Sequence, residues 1–159
     1  MVERIYPVGI QTFSDIIKRG CVYVDKTDLI YKLTKKYKYV FLSRPRRFGK
    51  SLLSTTLHSY FAGKKDLFKG LAIEGLEKDW TEYPVLHFDM SIFKYCDIKY
   101  FNEKFDIQLE DYEKKYGIEC SKKTPGNRLT TLIKTIKEKT GKDLVIIIDE
   151  YDAPLLDVL

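Results

Sequence analysis

A chain of 159 residues, 44% of them hydrophobic, is long enough to bury one sizeable core and too short for two ordinary domains. Its formal charge of +5, with lysine and arginine interleaved among acids, suits an anionic ligand but is too mild to identify a nucleic-acid binder. No run approaches the roughly 18 apolar residues that cross a bilayer, and the opening MVERIYPVGIQTF has no apolar h-region, so a soluble protein with no membrane partner is expected.

Cys21, Cys96 and Cys120 are odd in number and far apart, with no C-x-x-C pair and no cysteine-histidine cluster for zinc, which predicts reduced thiols in a cytoplasmic protein. In chain order, QTFSDIIKRG predicts a short helix, with Thr12 as N-cap, Asp15 three residues on, Phe13, Ile16 and Ile17 as the apolar face, and Gly20 as the stop. CVYV reads as a brief extended piece. DKTDLIYKLTKKYK reads as a helix with Leu29, Ile30, Leu33 and Tyr37 on one stripe. YVFLS, residues 39 to 43, is short and apolar, and predicts a buried strand.

From Ser51 the spacing of Leu53, Leu57, Tyr60 and Phe61 is helical until Gly63, so the basic loop before it lies between a strand and a helix. Trp80 is expected to pack, and Pro84 introduces a second strand, VLHFDM. Ile98, Phe101, Phe105, Leu109, Tyr112 and Tyr116 recur every three or four residues, as an amphipathic helix requires. That spacing suits a packing face better than a base-stacking platform. After Pro125 and Gly126, a further helix carries Leu129, Leu132, Ile133 and Ile136 and ends near Gly141. LVIIIDE then predicts a strand covered on both faces of a parallel sheet. Strands alternating with helices predict an α/β layered fold, a mostly parallel sheet flanked by helices.

Two motifs carry chemistry. A phosphate-binding loop has the form G-x-x-x-x-G-K-[S/T] between strand and helix, because backbone N–H groups wrap the phosphates while the helix N-terminus faces them. In SRPRRFGKSLL, Gly49, Lys50 and Ser51 match, and Arg44 stands where the first glycine is expected. The second motif is VIIIDE, whose Asp149 and Glu150 stand at the carboxyl end of a predicted strand, where ligands of parallel sheets bind. Asp149 suits a Mg²⁺ ion and Glu150 suits an attacking water.

With YPVGIQTFSDII, YVDKTDLIYKL, SRPRRFGKSLL, YPVLHFDMS and VIIIDEYDAPL in that order, nearly the whole chain resembles the AAA-ATPase-like domain family of bacteria and archaea. The resemblance implies a P-loop NTPase-like fold that is often followed by a PD-(D/E)XK nuclease-like domain. In that family RPRRFGK[S/T] is itself the Walker A form, so Arg44 departs only from the general motif. The resemblance implies ATP held by Arg44, Pro45, Arg46, Arg47, Phe48, Gly49, Lys50, Ser51 and Leu52. It implies Mg²⁺ on Ser51 and Asp149, with Glu150 and Lys50 as the catalytic pair. It also implies that Asp25, Lys26 and Thr27 lie toward the adenine. Physically, Pro45 biases Arg44 toward extended backbone, Gly49 permits close approach, and the arginines add donors for phosphate.

The plainer alternatives are a solvated basic turn for RPRRFGKS and a turn-capping strand end for Asp149 and Glu150. Asp89 could reach the same sheet edge or cap a helix, and is left out of the site. His58 and His87 have no ligand cluster around them, and KLTKKYKY reads as a solvated helix end. The chain runs only ten residues past Asp149, without a sensor strand, an arginine finger or a place for PD-(D/E)XK. It is therefore expected to be the N-terminal part of such a domain, 1–159, with Walker A at 44–51, Walker B at 144–150, and exposed sheet edges open to self-association or a protein partner. Three functions stand: an ATP-binding and Mg-dependent ATP-hydrolysing domain, a noncatalytic nucleotide-dependent interaction module or degenerate fragment, and a nucleic-acid-binding or nuclease-associated protein.

Overall fold

The computed structural model describes residues 5–45, 47–93, 98–119 and 124–153. Arg46, Cys96, Cys120 and the end of VIIIDEYDAPL lie outside the described residues. The chain divides between Glu82 and Tyr83 into two compact units.

The first unit holds three helices, α1 (Phe13–Lys18), α2 (Thr27–Lys36) and α3 (Lys50–Phe61), followed by 3₁₀ turns at Lys65–Phe68 and Ala72–Gly75. In α1, Asp15 in the first turn and Lys18 in the last complement the helix dipole. Thr12 occupies the N-cap with extended backbone, but its side chain makes no capping bond. The Phe13 N–H donates instead to Thr55 Oγ1 of α3 at 3.1 Å. In α2, Ile30 and Thr27 face inward, whereas Leu29 and Tyr37 are exposed, so the apolar stripe is rotated from the predicted one. Phe13, Ile30, Tyr60, Phe68 and Ile73 form the core of this unit, and the Trp80 ring packs 5.2 Å from Phe68, as its size led us to expect.

The expected strand at residues 39 to 43 does not form. A β-branched and aromatic segment becomes a strand by pairing its backbone with a ladder partner. Among the described residues, the bridge in this unit is the parallel pair Ile5 and Cys21, which is what CVYV contributes to pairing there. Residues 39 to 43 carry no strand pairing among the described residues, and Tyr39 is 86% and Phe41 72% exposed.

The second unit runs β1 (Val85–Asp89), a 3₁₀ turn (Met90–Phe93), α4 (Ile98–Tyr116), α5 (Pro125–Thr140) and β2 (Val145–Asp149). The two strands pair in parallel, from Val85 opposite Val145 to Asp89 opposite Asp149. This mixed helix and strand unit with a parallel sheet is α/β in kind, as predicted. Helix α5 starts and stops on sequence signals: Thr124 Oγ1 accepts from Asn127 N–H, Pro125 opens the helix, and Gly141 ends it in the left-handed region at φ 65°. Leu86 and Phe88 of β1 pack on Phe105 and Leu109 of α4 and on Leu132 and Ile136 of α5. Arg128 of α5 adds a fork of hydrogen bonds to both Glu113 oxygens, at 2.9 and 2.7 Å, and it also reaches Asp106.

The two edges of the sheet differ. The Val145 N–H donates to the Pro84 carbonyl, which sets the phase of the ladder and turns the His87 backbone away from β2. There Tyr112 closes the edge: its hydroxyl accepts from His87 N–H at 2.7 Å and donates to His87 O at 2.9 Å. On β2, only Ile147 is fully buried, while Ile146 and Ile148 are half-exposed. The expectation that VIIID is covered on both faces is thus corrected, because β2 is an edge strand among the described residues.

Candidate functional site

The basic loop ends in a helix start with no side-chain cap. Gly49 occupies the N-cap at φ 74°, and the first turn of α3 contains no acid. Its amides therefore meet no anionic side chain of their own turn, and the positive end of the dipole points toward the loop. Lys50 Nζ donates to the Arg44 carbonyl at 3.1 Å, tying the lysine to the first residue of the motif. Arg47 joins Gly49 in the left-handed region at φ 67°, a conformation that non-glycine residues seldom adopt. No acidic residue stands between Asp28 and Asp66, whereas lysines and arginines recur throughout that stretch. Phosphate oxygens fit this donor set: exposed cations, uncapped amides and no competing carboxylate nearby in sequence.

Asp25 and Thr27 have a structural job in the first unit. Asp25 Oδ1 accepts from the Thr27 N–H at 2.8 Å and the Thr27 hydroxyl at 2.7 Å, and Asp25 Oδ2 accepts from the Ala72 N–H at 2.6 Å. Buried Thr27 in turn accepts the Ile73 N–H at 3.0 Å. Burial alone would raise the Asp25 pKa, but the Ala72 and Thr27 donors outweigh it and hold the carboxyl below its usual range. This pair ties the start of α2 to the 3₁₀ turn at Ala72–Gly75. A second clamp joins α2 and α3: buried Glu77 accepts from the Tyr60 hydroxyl and pairs with Lys35 at 3.1 Å. Burial, and then the bond to Glu77, push the Tyr60 phenol well above its ordinary pKa.

In the second unit the register sets Asp89 beside Asp149 at the carboxyl end of the sheet. Asp89 Oδ1 accepts from Ser91 N–H at 2.8 Å, so it caps the 3₁₀ turn Met90–Phe93, the capping role considered for it. Asp149 Oδ1 accepts from Glu150 N–H at 3.0 Å, and Glu150 is held at φ 51° in the left-handed region. One step down the same face, burial keeps the His87 imidazole below its usual pKa although Asp149 and Asp89 pull it upward. Among the described residues, no three His, Cys, Asp or Glu side chains gather into a metal site of their own. The neighbouring Asp89 and Asp149 are hard oxygen donors of the kind Mg²⁺ takes one or two of, completing its shell with water and phosphate.

Some of these residues were legible from signals not used. VLHFD and VIIID both carry Asp fifth, so strands starting in register bring the two acids together. Thr55 follows Ser51 by four residues and so shares its helix face. No comparable signal pointed to Tyr112 or Glu77, whose partners lie on other elements.

Residues 7–159 match the family of AAA-ATPase-like proteins, described as predicted AAA-ATPases. A protein of Azotobacter chroococcum mcd 1, described as an uncharacterized protein in the vnfD 5' region, is 37% identical over 161 residues, covering 100% of this chain and 31% of its own length. The chain thus spans about a third of that relative. No solved structure matches. With the family profile extending over residues 7–159, the chain belongs to the AAA-ATPase-like family.

Proposed function

We propose that this chain is the N-terminal part of a P-loop ATPase domain that binds ATP with Mg²⁺ and contributes to its hydrolysis. The observation that carries this reading is the uncapped start of α3, with left-handed Gly49 and Lys50 at its first position. Residues 44 to 52 wrap the polyphosphate: backbone amides of the loop and of Ser51 and Leu52 donate to its oxygens, and Lys50 bridges the terminal phosphates. Arg44, Arg46 and Arg47 add charge, while Pro45 and Phe48 shape the loop between them.

Ser51 and Asp149 hold Mg²⁺, and the bound ion supplies neutralisation of phosphate charge. Glu150 orients and deprotonates the attacking water. Positioning and electrostatics dominate phosphoryl transfer, so the roles given to the loop and to the acids are to hold and neutralise the triphosphate and to orient the attacking water. ATP titration tests the phosphate half of it: the parent should bind, and Lys50→Ala should lose affinity by an order of magnitude or more. Equal binding by parent and variant would overturn the assignment of Lys50.

A second reading, a noncatalytic nucleotide-dependent interaction module, draws on the half-exposed Ile146 and Ile148 of β2. Steady-state turnover separates the two. Loss of phosphate release in Glu150→Gln favours the ATPase, and absence of turnover in a parent that binds ATP favours the module.

A further inference from the structure

The sheet face that ends in Asp89 and Asp149 carries a residue that packing alone does not call for. Alternate residues of a strand share a face, so Val85, His87 and Asp89 of β1 stand with Val145, Ile147 and Asp149 of β2. Val85 and Ile147 are apolar and buried, and the acids close the face at its carboxyl end. His87 lies between, opposite Ile147 and partly buried, one step below the acids. Taking a polar ring partly out of water costs desolvation, which a hydrogen-bonding partner offsets.

The base of this side chain is fixed from the far edge of β1. The Tyr112 hydroxyl accepts from His87 N–H at 2.7 Å and donates to His87 O at 2.9 Å, so the peptide groups on both sides of the residue are tied to α4. The Tyr112 ring is itself packed 5.6 Å from Phe88. The Cα–Cβ bond of His87 is thereby aimed by a clamp that touches neither acid. Strand spacing and rise set diagonal neighbours such as His87 and Asp149 about 8 Å apart at the backbone, a span that an imidazole and a carboxylate bridge head to head. Of the two acids, Asp149 acts on the ring more strongly than Asp89, while burial holds its pKa below the ordinary value. A ring in that state is neutral near pH 7 and keeps one N–H to donate. On the carboxylate side, Oδ1 of Asp149 already accepts from Glu150 N–H at 3.0 Å.

We propose that His87 is a positioning residue for Asp149, its ring N–H steadying the carboxylate in the orientation that takes Mg²⁺. This rests on the reading of Asp149 as a ligand of that ion. Carboxylates that bind a metal are themselves hydrogen-bonded, and losing such a partner commonly costs about 10–100-fold in metal affinity.

The test titrates ATP with and without Mg²⁺ against the full chain and its variants. His87→Phe and His87→Val remove the donor, one keeping a ring and the other a good strand former, and His87→Gln restores an N–H at comparable reach. Both donor-free variants should lose about tenfold or more of the gain in ATP affinity that Mg²⁺ brings, with metal-free affinity unchanged, and His87→Gln should recover most of it. Added to Asp149→Asn, His87→Phe should cause no further loss, because the histidine acts through that carboxylate. A full Mg²⁺ gain in either folded donor-free variant, or an equal loss in His87→Gln, overturns the positioning role and leaves Asp149 as a ligand. An unchanged gain in Asp149→Asn overturns the ligand reading and the role of His87 with it.

Discussion

At Gly49 the backbone sits in the left-handed region, and an added Cβ would meet no atom within 4 Å. Gly49→Ala therefore introduces backbone strain of about 1–2 kcal/mol rather than a clash. If the loop relieves it by moving, ATP affinity should fall about tenfold in a titration, with helix content by circular dichroism unchanged. Asp25 offers a pH test. Its folded pKa lies below the unfolded value, so the carboxylate stabilises the first unit fully above the unfolded carboxylate range and loses that contribution as acid protonates it. Melting temperature should drop on acidification below about pH 4, and Asp25→Asn should flatten that dependence. Thr27→Val removes the acceptor of the buried Ile73 amide and should cost about 1–3 kcal/mol in urea unfolding.

Among the elements, α4 both covers the sheet and closes one edge of it. Tyr112→Phe deletes two hydrogen bonds to His87 while keeping the ring that packs 5.6 Å from Phe88. Amide exchange at His87 should accelerate by an order of magnitude or more, with the α4 and α5 amides unaffected, because the ring and the core survive. Elements with periodic faces and local stops were readable in the sequence. Helices α4 and α5 lie where Phe105, Leu109, Leu132, Ile136 and Gly141 predicted them, because both the stripe and the caps are local. The segment at 39 to 43 was misread because a strand depends on a partner that its own residues do not encode. The tilt of the α2 face was misread for a related reason: Thr27, a polar residue, is buried by its bonds to Asp25 and Ile73 rather than by hydrophobicity. Of the candidate site, residue types and order were legible in SRPRRFGKS and VIIIDE. The facing pair of Asp89 and Asp149 was legible only in part: both strand segments carry Asp fifth, but the register that sets them side by side belongs to two strands at once.

For the whole molecule, the two motifs belong to separate compact units, the loop to the first and the acids to the second. Each unit has its own core, so a substitution such as Phe88→Ala should unfold the second by about 3–5 kcal/mol through cavity formation. The proposed chemistry needs more than two intact units: it needs Asp149 to act as a ligand of the Mg²⁺ that accompanies ATP. Mg²⁺ linkage of ATP binding measures that role directly. In titrations with and without Mg²⁺, the parent should bind ATP more tightly with the metal, and Asp149→Asn should lose that gain while keeping its metal-free affinity. An unchanged Mg²⁺ gain in Asp149→Asn would contradict Asp149 as a ligand of that ion.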